Sequence, residues 1–351
     1  MFSAEDRLFG QCQPIELSTY ERPKLIVVVD TESEFDWNAD PDPQALAVDS
    51  MRSIGRAQSI CDKFGIKPCY VVDYAVASQT LGYEPLVDYL EDGRCEIGAH
   101  LHPWVTPPIE ESLCARYSFP GNLPAYLERQ KILNLTRKIK SVFGISPKSF
   151  KSGRYGFGPN TARFLEEFGY QVDLSVCPPI DYSYCEGPDY SHFDAKPFWF
   201  GSQNQLLEVP ITGAFCGSAG SNLKALYALG QRYPKLKLQS LFSRLGLVDR
   251  LVLSPEGFCT NEHIKLTKAL YALGVRTFTW SFHSTSLAVG NTPYVRNQAD
   301  LDELLSSFTR YFEFFFGELG GVASSPLTLR SEFKKEKRLR AQSKELNPNV
   351  G

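Results

Sequence analysis

The sequence predicts an α/β fold in which a parallel sheet closes into a barrel. Strand and helix patterns alternate along the chain in about seven strand–helix units, which is typical of parallel sheets. The 351 residues are enough for one large barrel domain. Polar residues follow several of the apolar runs, and the carboxyl ends of barrel strands are where barrels carry their active sites. These three observations together predict a barrel with its chemistry at one end.

The predicted strands are short apolar runs, several of them β-branched, and most are followed by a helical pattern. They span residues 24–32, 67–73, 95–102, 149–154, 170–176, 206–212, 250–253 and 275–283. The predicted helices, several of which end at a glycine, span residues 43–64, 83–91, 124–143, 160–168, 223–233, 262–273 and 300–316.

A long segment over residues 178–205 interrupts this alternation. It is rich in aromatic and turn residues, and loops of that length inside a compact domain are typically lids or binding loops. We expect part of it to cover the active-site cleft and to contact substrate through Tyr182, Tyr184 or Trp199. A surface loop that packs only on itself is the alternative interpretation.

The two ends of the chain differ from the barrel pattern. Residues 1–22 precede the first strand, and a run of lysines and arginines after about residue 324 is typical of a solvated or partly helical tail. We therefore expect an N-terminal extension over 1–22, a barrel domain over 23–320 and a charged C-terminal tail over 321–351.

Composition narrows the function classes. A hydrophobic content of 43%, a charged content of 22% and a net charge of -3 fit a globular protein without a nucleic-acid partner. The nine cysteines are scattered, with no CxxC pair, which favours reduced thiols in a reducing compartment. The sequence has neither a signal-peptide pattern nor an apolar run of about eighteen residues. We therefore expect a cytoplasmic protein with no transmembrane segment.

Two pairs of polar residues at strand ends predict the chemistry. Asp30 and Glu32 end the first predicted strand, and His100 and His102 end the third. Side chains alternate along a strand, so the two members of each pair share a face. Two carboxylates and two imidazoles at one end of a barrel are the ingredients of a metal-hydrolase site. The alternative is that each residue only caps its strand or lies in solvent.

Further polar residues occupy or follow other strands. Arg154 follows a weak strand, Asp173 lies within the next strand, Glu256 follows a third, and His283 ends the last strand. Taken singly, each has a structural explanation, such as a surface ion pair for Arg154 or an interior hydrogen bond for His283. Three of the five histidines lie at the ends of apolar strands, however, and this favours a functional site.

In this order the motifs resemble those of the polysaccharide deacetylases, the NodB-homology domain of carbohydrate esterase family 4. The resemblance covers the chain from about residue 24 to residue 316. VVVDTE resembles the first motif, EIGAHLHPW the second, GRYGFG the arginine motif, the Asp173 strand the fourth and WSFHS the last. DTESEFDW, GAHLHPW, SPEG and FHS resemble the WalW-like branch from bacterial surface-polysaccharide loci. The resemblance implies a distorted (β/α)7-type barrel.

Three positions depart from the family pattern. Thr31 separates two acidic residues that are usually adjacent. The histidines are two residues apart rather than four, and Trp104 occupies the usual second position. Gly156 replaces the common proline of the arginine motif. Two histidines two residues apart can still bind one metal from an extended strand, because both side chains share a face.

The resemblance implies metal-assisted hydrolysis of an N-acetylated sugar. Glu32, His100 and His102 would bind a divalent metal, for which we expect zinc, although cobalt, nickel, manganese and iron accept the same ligands. Asp30 would be the general base, oriented by Arg154 through a charge-assisted hydrogen bond.

The resemblance also implies an acid and a carbohydrate site. His283 would protonate the leaving amine, and Asp173 would fix its tautomer. We expect substrate contacts from Trp104, Tyr155, Tyr182, Tyr184, Trp199 and Glu256. Two other functions stay open: a catalytically silent carbohydrate-binding protein on the same barrel, and another metal-dependent amidohydrolase or glycoside hydrolase.

Overall fold

A computed structural model describes residues 8–15, 17–18, 20–219, 227, 245 and 247–346. Its strands are β1 Gln13–Pro14, β2 Lys24–Thr31, β3 Cys69–Val72, β4 Glu96–Leu101, β5 Ser149–Ser152, β6 Val172–Asp173, β7 Phe198–Phe200, β8 Leu206–Glu208, β9 Gly213–Cys216, β10 Asp249–Val252, β11 Thr277–His283 and β12 Val322–Ala323. Its α-helices are α1 Ile54–Lys63, α2 Tyr74–Ser78, α3 Thr80–Glu91, α4 Ala125–Phe143, α5 Thr161–Glu167, α6 Thr260–Ala272, α7 Gln298–Glu313 and α8 Pro326–Leu346.

The main sheet consists of parallel strands in the order β11-β2-β3-β4-β5-β6-β8. β7 and β1 extend its edge beyond β8 in antiparallel fashion, and β12 pairs with β2. β9 and β10 form a separate antiparallel pair. Helices follow most of the parallel strands, as crossover connections between parallel neighbours require.

Single hydrogen bonds connect the two ends of the parallel sheet. The Ile211 amide donates to the Val176 carbonyl at 2.8 Å, and the Leu253 amide donates to the Thr212 carbonyl at 2.7 Å. The Ser281 amide then donates to the Leu253 carbonyl at 3.2 Å. The segments next to β9 and β10 thus fill the gap before β11. The result is a distorted barrel whose ladder is not continuous in the part of the chain that the structure describes.

The inward face of the barrel is an apolar core that α8 closes at the amino-terminal end. Every second residue of the parallel strands contributes to this cluster, including Ile26, Val28 and Val71, and α8 adds Leu329 and Phe333. Glu96, the first residue of β4, accepts a hydrogen bond from the Ser325 hydroxyl, just before α8. It accepts a second hydrogen bond from the Leu327 amide, within α8. The outward face of the sheet packs against the surrounding helices in a larger cluster.

Both chain ends pack on the barrel. Phe9 is buried and stacks on Phe157 with ring centroids 4.3 Å apart, and β1 pairs with β7. In α8, Leu329 and Phe333 are buried, although neighbouring lysines and arginines are not. Of the two expectations for this tail, solvated or partly helical, the structure has the helix, and its apolar side closes the barrel.

The predicted strands are all present, with ends that differ by a few residues. Most predicted helices are present as well, but residues 43–53 are not α-helical. The Glu34 amide instead donates to the Ala47 carbonyl at 2.8 Å, and the Ser50 amide donates to the Glu34 carboxylate at 2.6 Å. This segment therefore folds back on Glu34. The predicted helix over residues 223–233 lies, apart from residue 227, outside the described residues.

None of the helices in the described ranges has the combination of length and hydropathy that a membrane span requires.

Candidate functional site

A cleft of about 690 Å³ opens at the carboxyl ends of the parallel strands. β2 ends next to Glu32, β4 ends next to His102, and β11 ends at His283, so three strand ends meet there. Polar side chains form the floor of the cleft: Asp30, Glu32, His100, His102, Lys151, Glu256 and His283. This is the end at which barrels place their chemistry.

Glu32, His100 and His102 form one compact cluster. The Glu32 Oε2 atom lies 2.7 Å from His102 Nε2 and 3.4 Å from His100 Nε2. One candidate ligand atom from each residue lies within 4.8 Å of the others. All three side chains are buried, at 1 to 3% exposure. The two-residue spacing of the histidines therefore brings both imidazoles to one carboxylate.

The two imidazoles are held in the form that a metal needs. His100 Nδ1 donates a hydrogen bond to the Lys151 carbonyl at 3.1 Å, which leaves the Nε2 lone pair facing Glu32. Burial lowers the pKa of His100, and burial lowers the pKa of His102 to about 3. Both rings are thus neutral near pH 7, and a neutral imidazole is the form that binds metal.

The residues of this cluster fit a divalent cation. Glu32 Oε1 and His102 Nδ1 are buried without a hydrogen-bond partner in the described part of the chain, and buried polar atoms normally have one. One carboxylate and two imidazoles form a ligand set typical of catalytic zinc, in which a further position stays open for water or substrate. The Glu32 amide is itself fixed by the Ser284 hydroxyl at 3.2 Å.

Asp30 lies beside the cluster and forms a buried ion pair with Lys151. The Lys151 ammonium donates to both carboxylate oxygens of Asp30 at 2.6 Å and to the Ser281 hydroxyl at 3.0 Å. Burial alone would raise the pKa of Asp30, but Lys151 leads the charges that bring it below its ordinary value. Asp30 is therefore an ionised carboxylate with a fixed orientation.

His283 also lies near the Asp30 carboxylate and is held by Glu256. Its Nδ1 atom is 2.7 Å from Glu256 Oε2, and its amide donates to Glu256 Oε1 at 3.0 Å. Its Nε2 atom faces Asp30 Oδ2 at 3.7 Å. Burial lowers the pKa of His283, but Glu256, with help from Glu32 and Asp30, outweighs this and raises it to about 10. The imidazole is therefore protonated near pH 7.

Aromatic side chains form the walls of the cleft. The Trp37 ring packs edge-on against His283 at 4.8 Å, and Phe35 stacks on Trp37 at 5.8 Å. Tyr155 and Tyr182 stack on each other at 5.7 Å and line the same cleft. Flat aromatic faces beside polar groups are well suited to the apolar faces and hydroxyls of sugar rings.

Comparison with solved structures gives a match over most of the chain. A protein described as a polysaccharide deacetylase from Mycobacterium smegmatis is 12% identical, with 93% of this chain and 96% of that chain covered and a TM-score of 0.55. The chain has the polysaccharide deacetylase fold. The match covers 93% of this chain, so the barrel-type fold expected from the motifs is confirmed.

Other solved structures with this fold are more distant. The Xyl-CE4 domain of a multidomain xylanase from the hindgut metagenome of Trinervitermes trinervoides is 10% identical, with 90% and 92% of the two chains covered and a TM-score of 0.41. Peptidoglycan deacetylase PdaC from Bacillus subtilis is 10% identical, with 95% and 100% covered and a TM-score of 0.39. Neither a family model nor a curated protein sequence matches this chain.

Arg154 does not contact Asp30, contrary to our expectation from the arginine motif. It lies at the rim of the cleft, where it donates to the Ser118 hydroxyl at 2.5 Å and lies 4.5 Å over the Phe119 ring. The reason is local, since β5 ends in a tight turn and Arg154 has a φ of +53°. Its place beneath Asp30 is taken by Lys151, three residues earlier and within the strand.

Sequence reasoning missed Lys151, although the sequence contains a signal for it. A lysine inside a strand that is buried on both faces is rare unless it is paired. Lys151 pairs in register with His100 on the neighbouring strand, so its side chain points into the barrel on the same face. A charge at that position indicates an acidic partner at the same level of the barrel, and Asp30 is that partner.

Asp173 does not hold His283, and Glu256 does so instead. Asp173 accepts hydrogen bonds from the Ser175 hydroxyl at 2.8 Å and from the Ser175 amide at 3.2 Å. It lies next to Glu208 on the outward face of the sheet, because its neighbour Val172 belongs to the inward face. Burial raises the pKa of Asp173 to about 6. It is a structural carboxyl group outside the cleft.

The residues expected to contact substrate fall into two groups. Tyr155, Tyr182 and Tyr184 line the cleft, as do Trp104 and Glu256. Trp104 is almost fully buried and packs on the His102 ring at 4.3 Å, so it helps to fix the orientation of that imidazole.

Trp199 lies away from the cleft, which corrects the expectation of a substrate contact. It belongs to β7 and packs in the barrel interior with Leu329 and Phe333 of α8. Only the first part of the segment over residues 178–205 lines the cleft.

Proposed function

We propose that this protein is a metal-dependent hydrolase that removes the acetyl group from an N-acetylated sugar. The observation that carries this proposal is the convergence of three pairs or clusters in one cleft: the Glu/His/His cluster, the Asp30–Lys151 ion pair and the His283–Glu256 pair. A metal site flanked by one ionised carboxylate and one protonated imidazole has the groups that amide hydrolysis needs.

Glu32, His100 and His102 would hold the metal, and zinc is the ion we propose. When bound, such an ion polarises a carbonyl group and lowers the pKa of water. The protein positions the ligands for it through the Lys151 carbonyl on His100 and through Trp104 behind His102.

Asp30 would act as the general base. It is ionised because Lys151 lowers its pKa, and two hydrogen bonds from the same ammonium fix its orientation. As a water oxygen forms its bond to the acetyl carbon, Asp30 accepts the water proton. A carboxylate of depressed pKa is a weaker base, but it is in the charged form over a wide pH range.

His283 would act as the general acid. Glu256 holds it protonated, and its Nε2 proton faces the cleft beside Asp30. When the bond between the acetyl carbon and the sugar nitrogen breaks, the nitrogen takes the proton from His283. The products are acetate and a free amino sugar, so atoms and charges balance with one water consumed.

The sugar itself would lie between the aromatic walls. Trp37 lies next to His283, and Tyr155 with Tyr182 lines the same cleft, so a sugar ring between them could place its acetamido group over the polar floor. The motif resemblance supports a precursor of a surface polysaccharide as the substrate.

The decisive experiment measures metal content and acetate release on the same purified protein. We expect about one zinc per chain and acetate release from an N-acetylated sugar substrate. Asp30→Asn should keep the metal and lose roughly 10²–10⁴-fold in rate, the usual scale of general base catalysis. His100→Ala should lose the metal. Asp49→Asn, which changes an exposed acid that does not line the cleft, serves as the matched control.

Two results would contradict the proposal. A zinc-loaded protein that binds sugars but releases no acetate would favour a silent carbohydrate-binding protein. Release of a sugar by cleavage of a glycosidic bond, with the acetyl group retained, would favour a glycoside hydrolase.

A further inference from the structure

Two arginines line the cleft without a carboxylate partner. Arg154 contacts only neutral groups, the Ser118 hydroxyl and the Phe119 ring. The Arg250 Nε atom is buried without a hydrogen-bond partner among the described residues, and no ion pair of Arg250 is present in that part of the chain. Arg250 is half-buried, and a partly buried guanidinium group normally binds an anion, so its unpaired Nε atom in the cleft indicates an anionic ligand, whereas Arg154 is exposed at the rim.

Arg154 and Arg250 line the same cleft as Tyr184. Partial desolvation and the neighbouring Cys185 raise the pKa of the Tyr184 hydroxyl, whereas the positive charges of Arg250 and Arg154 act in the opposite direction. Tyr184 is 84% exposed, so this part of the cleft is open to a large ligand.

The β10 segment connects this region to the catalytic groups. Arg250 and Val252 lie on β10, Ser254 and Glu256 follow in the irregular turn after it, and all four residues line the cleft. Glu256 holds His283 at the floor, whereas Arg250 lies at the start of the stretch. A ligand that reaches from the floor to Arg250 therefore has its anionic group at a distance from the reacting acetamide.

The acidic residues of the cleft do not neutralise these arginines. Asp36, Asp40 and Asp42 lie in a different loop, the one that carries Trp37 against His283. Asp36 and Asp42 accept hydrogen bonds from backbone amides of their own turns at 2.9 and 2.8 Å. The positive charge around Tyr184 thus remains available to a ligand.

We propose that Arg154 and Arg250 together bind a phosphate group of the substrate, which is then an N-acetylated sugar phosphate or diphosphate. This inference rests on the proposed deacetylation. Two guanidinium groups match the charge of a phosphate monoester, about -1.5 to -2 near pH 7, better than they match a single carboxylate. Tyr184 adds a hydroxyl donor to the same group.

The test compares charged and neutral ligands by titration calorimetry on the purified full-length chain. N-acetylglucosamine 1-phosphate should bind roughly 10- to 100-fold more tightly than N-acetylglucosamine, the range expected for charge-assisted hydrogen bonds. Arg154→Gln and Arg250→Gln should each remove most of this difference, while the affinity for the neutral sugar stays the same. Arg296→Gln, which removes an exposed arginine paired with Asp300, is the matched control.

Three further measurements sharpen this test. The titration is repeated after zinc removal. If the metal alone bound the phosphate, the affinity for the sugar phosphate would be lost in the zinc-free protein and retained in zinc-loaded Arg250→Gln. UDP-N-acetylglucosamine distinguishes a diphosphate-linked sugar from a sugar monophosphate. Arg250→Lys, checked for folding by circular dichroism, keeps a charge but loses the planar fork and should give an intermediate affinity.

Equal affinities for the charged and neutral sugars, or an unchanged difference in Arg250→Gln, would overturn the inference. Glucuronic acid binding as tightly as the sugar phosphate, with the same dependence on both arginines, would overturn the assignment to phosphate. Acetate release reports separately on the proposed function. Arginine-dependent phosphate binding without acetate release would keep the phosphate site and reject the deacetylase, and acetate release without it would do the reverse.

Discussion

Lys151 decides the charge state of Asp30, the candidate base. An ammonium group with 1% side-chain exposure costs free energy unless it is paired, and here Asp30 and the Ser281 hydroxyl accept all of its identified hydrogen bonds. The pair also crosses the barrel interior from β5 to β2, so the orientation of the carboxylate is set by two strands. Position and charge of the base thus depend on one side chain.

Replacement of Lys151 by Met should therefore raise the pKa of Asp30. In the folded protein Lys151 lowers the pKa of Asp30, so this carboxylate is charged well into the acidic range. Removal of the Lys151 charge removes this lowering of the pKa. We expect the acidic limb of the plot of kcat/KM against pH to move upward by roughly one to three pH units. Lys148→Met changes a partly exposed lysine just before the same strand, one that does not line the cleft, and should leave the limb in place. An unmoved limb in Lys151→Met would contradict the role of this residue.

Glu256→Gln should have the opposite effect on the other limb. Glu256 raises the pKa of His283 to about 10, and an acid must be protonated to act. Removal of the negative charge lowers this pKa, so we expect the basic limb to move downward by roughly one to three pH units. Asp173→Asn tests the residue that the motifs suggested for this role, and there the basic limb should stay. If the basic limb moved in Asp173→Asn and stayed in place in Glu256→Gln, Asp173 rather than Glu256 would be the partner of His283.

The sequence predicted those site residues that strand alternation alone can bring together. Asp30 with Glu32, and His100 with His102, share a face at their strand ends, and the structure brings them into one cleft. The partners that fix the acid and the base were assigned wrongly. Arg154 stands in the expected motif but lies beyond the end of its strand, where a turn directs it to the rim.

The partner of His283 could not be predicted for a related reason. A strand position places a side chain inward or outward, and a shift of one residue reverses this. The short strand β6 puts Val172 inward and Asp173 outward, a choice that one polar residue in an apolar run does not reveal. Glu256 reaches His283 through an irregular turn after β10, and such turns have no periodic signature.

At the scale of elements, the extended end of β4 explains how an unusual histidine spacing still forms a cluster. His100 is the fifth residue of β4, and His102 follows the strand with an extended backbone, at φ -99° and ψ 117°. Two residues in extended conformation bring the side chains back to the same face. The predicted strands lie within longer patterned segments of the sequence, whereas β1, β7, β9 and β12, of two to four residues, do not.

The helix α8 is the element whose role differs most from its composition. Its charged residues suggested a solvated tail, but Leu329 and Phe333 close the barrel. We expect Leu329→Ala to lower the free energy of unfolding by about 2–5 kcal/mol, the usual cost of a buried leucine, measured by chemical denaturation. Leu339→Ala, at a position that is 53% exposed, should change it by about 0.5 kcal/mol or less. Equal effects of the two would mean that α8 does not contribute to the core.

At the scale of the whole molecule, the two ends of the barrel differ, since one is covered by a helix and the other is open. α8 packs at the amino-terminal ends of the strands, and the cleft opens at their carboxyl ends. The Glu/His/His cluster joins β2 with β4, Lys151 on β5 holds Asp30, and His283 comes from β11. These strands are far apart in sequence, so the site forms only when the barrel has formed.

Zinc should therefore stabilise the whole fold and not only its own ligands. A ligand that binds only the folded chain at 100 times its Kd adds about 2.7 kcal/mol to the free energy of unfolding. We expect zinc to raise the unfolding temperature at pH 7.5 in the presence of a reductant. If the nine cysteines bind zinc in the unfolded chain, the stabilisation will be smaller than this figure. His102→Ala should abolish the shift, whereas His192→Ala, at an exposed position, should retain it. A shift that survives His102→Ala would place the metal elsewhere, because a buried cluster of three ligands cannot lose one imidazole and keep its affinity.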